Sequence, residues 1–138
     1  MRVLLDTCVL SELRHSRGDQ NVRSAVATLR PSETFLSVIT LGEISKGIAL
    51  LTDDHKKRDL GYWLPSVERS YTDRILPIDR DTAIIWGELT AITQRRGIQL
   101  HAADGLIAAT AIQHGLHVMT RNVRHFDATG VLILNPWS

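Results

Sequence analysis

The chain has 138 residues, 43% hydrophobic and 22% charged, with a formal net charge of +1. That is enough for one domain with one core, too apolar for a disordered chain, and too nearly neutral to bind nucleic acid by bulk charge alone. No apolar run approaches the roughly 20 residues of a bilayer span, and the single cysteine, Cys8, excludes an internal disulfide framework and a cysteine-based zinc site. Met1 runs straight into a strand pattern rather than a signal peptide, so a cytoplasmic setting with no membrane partner is the expectation.

In chain order, the apolar periodicity predicts a short buried strand over Val3–Leu5 and a short helix around Val9–Leu13. A second helix carries Val22, Val26 and Leu29 on one face. Arg30-Pro31-Ser32 punctuates the chain before a second strand over Phe35–Ile39, a helix from Leu41 to Leu51 and a charged helical arm from Asp53 to Tyr71. Ile75–Ile78 predicts a third strand, placed at an edge by Pro77. Asp81–Arg95 is a helix with Ile84, Ile85, Leu89 and Ile92 in register, stopped by Gly97. Ala103–Gln113 is another, ended by His114-Gly115, and Val118–Thr120 and Val131–Leu134 complete a five-stranded set. With no repeat, low-complexity tract or linker, residues 1–138 form a single domain. Strands separated by helices predict the α/β class: a mostly parallel sheet covered on both faces.

Ligands of such sheets bind beyond the carboxyl ends of the strands. Asp6 follows the first strand directly. Glu43 lies in SVITLGEISKGI after the second, Asn122 follows VMT, and Asp104 sits in the first turn of the helix HAADGLIAATA. Each has a plain structural reading. Asp6 can cap the next helix, Glu43 stands three residues after Thr40 in capping-box spacing, Asp104 can complement a helix dipole, and Asn122 can serve a turn. Together they suggest another role: three carboxylates and an amide converging on one cleft repel one another unless a cation neutralises them, and all-oxygen donors suit Mg²⁺ or Mn²⁺. Such an ion works on phosphate esters. The six histidines show no zinc-type spacing, and no Ser–His or Cys–His pair stands out as a nucleophile. A second acid two residues after Asp6, which a haloacid-dehalogenase-type phosphotransferase requires, is replaced by Cys8. A receiver domain would need a paired acidic dipeptide near its start, which is absent.

The stretches LLDTCVLSE, SVITLGEISKGI, AADGLIAATAIQHG and VMTRNVRHF, in this order, resemble the PIN-domain ribonucleases, and most nearly the VapC-type toxins of bacterial toxin–antitoxin pairs, including the FitB-like branch. The resemblance covers nearly the whole chain. It implies a three-layer α/β/α fold with a central five-stranded sheet, a single PIN domain over 1–138, and Mg²⁺- or Mn²⁺-dependent cleavage of RNA. Carried over residue by residue, the metal ligands fall on Asp6, Glu43 and Asp104. The fourth acidic position falls on Asn122, an amide, which opens the alternative of a catalytically weakened PIN fold acting through binding alone. RNA must pass the acidic cleft's own repulsion, so Arg121, Arg124 and Lys46 are the candidate RNA-binding residues. The resemblance further implies a homodimer, a cognate VapB-like antitoxin, and operator DNA contacted only through that antitoxin. Ile48, Leu50 and Leu51 and the stretch Tyr62, Trp63 and Leu64 are candidate contact surface, or else ordinary core.

Overall fold

The structure is a computed structural model that describes residues 1–137. Its sheet has five strands in the order β3-β2-β1-β4-β5, with β1 at Val3–Leu5, β2 at Thr34–Ser37, β3 at Ile75–Leu76, β4 at His117–Met119 and β5 at Ile133–Leu134. All its pairings are parallel: Val3 faces Thr34 on one side and His117 on the other, and Leu5 faces Met119. The mostly parallel sheet expected from the sequence is thus wholly parallel, with β3 at an edge.

The strands are short because both faces are buried and few residues are needed to cross the core. Val3, Leu4 and Leu5 are completely buried, and alternation sends them to opposite faces. Val3 and Leu5 join Val9, Leu10, Val22, Ile44 and Val67 in one core cluster. These come from α1 (Thr7–Arg14), α2 (Gln20–Ala27), α3 (Val38–Ala49) and α4 (Asp54–Ser70). Leu4 joins Ile107, Ala108, Ala111, Val118 and Phe126 in the other cluster, built from β1 and β4 with α6 (Ala102–His114) and α7 (Val123–Phe126), and with Leu89 of α5 (Arg80–Arg95) packed against it. This is the expected three-layer arrangement. No helix among the described residues is long and apolar enough to cross a membrane.

Several element boundaries differ from the sequence reading. The second strand stops at Ser37 rather than Ile39, because the Ser37 hydroxyl accepts a hydrogen bond from the Ile39 N–H at 3.0 Å and starts α3 there. The fourth strand ends at Met119, leaving Thr120 beyond it, and the last is only Ile133–Leu134. The one-turn helix α7 follows Asn122, which the sequence offered only as a turn residue. The predicted stop after α6 is confirmed: Gly115 adopts a left-handed conformation (φ 66°) and the Leu116 N–H closes onto the Ala111 carbonyl at 2.8 Å.

The order of strand addition reverses between β1 and β4, since the sheet is filled from β1 outward to β3 and then on the other side by β4 and β5. Asp6 and Thr120 leave the sheet side by side at this switch point, the position where open parallel sheets bind ligands.

Candidate active site

Asp6 ends β1 and caps α1. Its N–H donates to the Met119 carbonyl at 3.0 Å, which ties it to the neighbouring strand. Oδ1 accepts the Thr7 N–H at 2.9 Å, and Oδ2 accepts the Thr120 hydroxyl at 2.8 Å. The residue is only 5% exposed and Thr120 is fully buried, so the carboxylate is held rigidly at the end of the sheet. The capping role and the site role are therefore compatible: one oxygen serves the helix and the other faces the strand end. The same Thr120 hydroxyl accepts the Asn122 N–H at 3.0 Å, and this bond shapes the turn into α7.

Glu43 is not a capping-box residue. Its helix is capped by Ser37, and Thr40 lies inside α3, buried. Glu43 instead reaches across to α1, where Oε1 accepts the Thr7 hydroxyl at 3.0 Å. Burial holds its carboxyl above the ordinary range; the charges of Asp6 and Asp104 add to this, and the Thr7 hydrogen bond and Lys46 oppose it. Asp104 sits in the first turn of α6. Burial likewise raises its pKa, with Asp6 adding and His125 and His101 opposing. His125 Nδ1 lies 3.3 Å from Asp104 Oδ2. Each of these carboxylates is thus near enough to feel another's charge. Among the described residues, however, no three His, Cys, Asp or Glu side chains close around one point: the acidic groups border a space rather than forming a cage.

Asn122 is exposed at the start of α7 and makes no side-chain capping bond. Of the basic candidates, Arg121 is exposed with its guanidinium 5.5 Å from the centre of the Trp137 ring, Arg124 is exposed on α7, and Lys46 is exposed on α3 one turn beyond Glu43. Lys46 and Glu43 border an open cleft of about 470 Å³ that reaches Ala103, next to Asp104. Cys8 lies 3.8 Å from Asp6 Oδ2 and 3.6 Å from the Thr120 hydroxyl. Burial pushes its thiol up, so it is protonated at neutral pH and no nucleophile. Ile48, Trp63 and Leu64 pack against the core, whereas Leu50 and Tyr62 are exposed.

Sequence reasoning passed over three residues of this neighbourhood: Thr7, Thr120 and His125. Thr7 is adjacent to Asp6, and Thr120 stands two before Asn122, the spacing of a hydroxyl that closes a turn, so both had a local signal. His125 had none, since it meets Asp104 only through the packing of α7 on α6.

A family model for the PIN domain matches residues 3–132. The chain belongs to the PIN-domain family. Over 98% of both chains it is 38% identical to Toxin FitB of Neisseria gonorrhoeae. It is 34% identical to VapC ribonuclease Y4jK of Sinorhizobium fredii, over 98% of this chain and 97% of the relative. Among solved structures, FitAB bound to IR36 DNA fragment superposes with a TM-score of 0.89 at 36% identity, covering 99% of this PIN domain and 96% of that chain. The likeness therefore extends over the whole PIN domain, α3, α6 and α7 included.

Proposed function

We propose that this PIN domain is a Mg²⁺- or Mn²⁺-dependent endoribonuclease and the toxin of a VapBC-like pair, with Asp6, Glu43 and Asp104 holding the ion. The observation that carries the reading is electrostatic: Asp6 at the end of β1, Glu43 of α3 and Asp104 of α6 lie near enough to feel one another's charge, and burial together with that charge holds Glu43 and Asp104 above their ordinary pKa. Mg²⁺ keeps several waters and needs only one or two direct carboxylates, so acidic groups that border a space without closing a cage can hold it in part through its waters. When bound, such an ion supplies an activated water and neutralises charge developing on the phosphodiester. The chain's own residues do the positioning. Thr120 and the Thr7 N–H fix the Asp6 oxygens, and the Thr7 hydroxyl turns Glu43 toward α1. Lys46, Arg121 and Arg124 offset the acidic charge where RNA arrives. No protein nucleophile is required, which agrees with the protonated Cys8 thiol.

Relatives named toxin and ribonuclease support both halves of the reading, and the FitAB assembly on DNA supports an antitoxin partner through which operator DNA is reached. A homodimer follows from the same resemblance. The test is RNA cleavage by purified protein. Cutting appears with Mg²⁺ or Mn²⁺, stops with chelator, and is abolished by Asp6→Asn while the fold is retained. Equal cutting by wild type and Asp6→Asn contradicts the proposal. Binding of RNA without any cutting points to the weakened-site reading, which Asn122 favours by standing where the family's fourth acid falls.

A further inference from the structure

The cleft beside Glu43 is larger than an ion needs and chemically unlike the acidic crowd it adjoins. Its walls are aliphatic: Val38 and Ile39 from α3, Leu50 just past the end of that helix, and Ala103 from α6. Val38 and Leu50 are 36% and 71% exposed, an unfavourable display for a helix that already buries its other face. Gly42 and Gly47 open the floor. Neither would meet an atom within 4 Å if it carried a Cβ, so packing does not require either glycine, and each weakens α3 relative to a better helix former. The mouth carries two opposite charges, Glu43 and Lys46, one helical turn apart.

We propose that this cleft seats one unstacked nucleobase of a single-stranded RNA whose phosphate lies at the carboxylate site; the inference rests on the ribonuclease reading above. A nucleotide matches the cleft. Its flat apolar face lies against aliphatic walls over the side-chain-free glycines, and its phosphate, placed at the neighbouring carboxylate site, answers the Lys46 charge at the mouth. An aliphatic side chain of a protein partner would use the walls and leave the Lys46 charge unanswered. Without an aromatic lining residue the base is held by shape rather than by stacking, so the subsite tolerates more than one base.

The experiment uses single-stranded RNA oligonucleotides carrying 2-aminopurine at successive positions, mixed with the full chain in chelator so that nothing is cut. An unstacked 2-aminopurine among aliphatic walls brightens. Expected is a rise at one position, falling in Gly47→Ala and lost in Gly47→Leu, with RNA affinity by anisotropy about tenfold weaker in Gly47→Leu, the value of roughly one buried base. Both substitutions put a better helix former into α3, so the fold tolerates them. Fluorescence that is flat along the RNA, or indifferent to Gly47→Leu, overturns the subsite even where Mg²⁺-dependent cutting persists. A position-specific signal without cutting upholds the subsite and rejects the nuclease instead. If Gly47→Leu leaves RNA unaffected but weakens binding of a synthetic peptide of the antitoxin's C-terminal segment, the cleft belongs to the protein partner and the proposal fails.

Discussion

Thr120 has no charge and no place among the proposed ligands, yet three polar groups depend on it: it donates to Asp6, accepts from the Asn122 N–H and contacts the Cys8 sulfur. Thr120→Val leaves a buried carboxylate oxygen with only the weak Cys8 thiol as donor, which costs roughly 1–3 kcal/mol and lowers the melting temperature; Thr120→Ser restores most of it. Glu43 offers the opposite sign. Its folded pKa lies above the ordinary value, so the folded state favours the protonated form. That contribution is complete below the ordinary glutamate pKa and is lost as pH rises through the raised one. In chelator at neutral pH, Glu43→Gln therefore melts no lower than wild type and is expected to melt higher, and its advantage shrinks as the pH is brought down to the ordinary carboxylate range. Thermal melts across pH check this, and an advantage that grows on acidification contradicts it. Asp6 and Asp104 were legible as residues because they adjoin predicted elements. Their partners were not, since a hydroxyl or imidazole acquires a role only from the strand or helix packed beside it.

At the level of elements, the site depends on how closely α5 and α6 approach. A Cβ at Gly105 would stand 2.9 Å from Trp86 Cδ1 and 3.1 Å from its Nε1, so the residue after Asp104 must be glycine for α6 to lie against α5. Gly105→Ala forces the ring or the helix to shift, costs about 1–3 kcal/mol by overpacking, and displaces Asp104 with it. Reduced stability accompanied by reduced cleavage is the expected pair of results, whereas an unchanged melt shows that the Trp86 ring moves freely. The start of α3 is a second such point: Ser37→Ala removes its cap at a cost of about 1 kcal/mol, read as a lower denaturation midpoint. The helices themselves were readable from their periodicity. Their ends were less so, because the Ser37 cap competes with a β-branched run, Val38-Ile39-Thr40, that reads as continuing strand. The apolar run offered no means of choosing; the hydrogen bond from the Ile39 N–H to the Ser37 hydroxyl did.

For the molecule as a whole, the order β3-β2-β1-β4-β5 is what turns residues far apart in sequence into neighbours. Alternation of strands and helices announced a parallel sheet. The strand order, which puts β4 beside β1 and so brings Thr120 to Asp6, was not legible in the sequence, because no local pattern encodes which strands pair. A fold that gathers repelling carboxylates at one end is stabilised by whatever neutralises them: at a hundredfold excess over its Kd, a bound ion adds about 2.7 kcal/mol, several degrees in a domain of this size. The most direct test of the shared-ion claim is Mn²⁺ binding followed by electron paramagnetic resonance in wild type, Asp6→Asn, Glu43→Gln and Asp104→Asn. Saturable binding in wild type that is weakened in all three variants is the predicted result. Wild-type affinity in any one of them would show that its side chain takes no part in holding the ion.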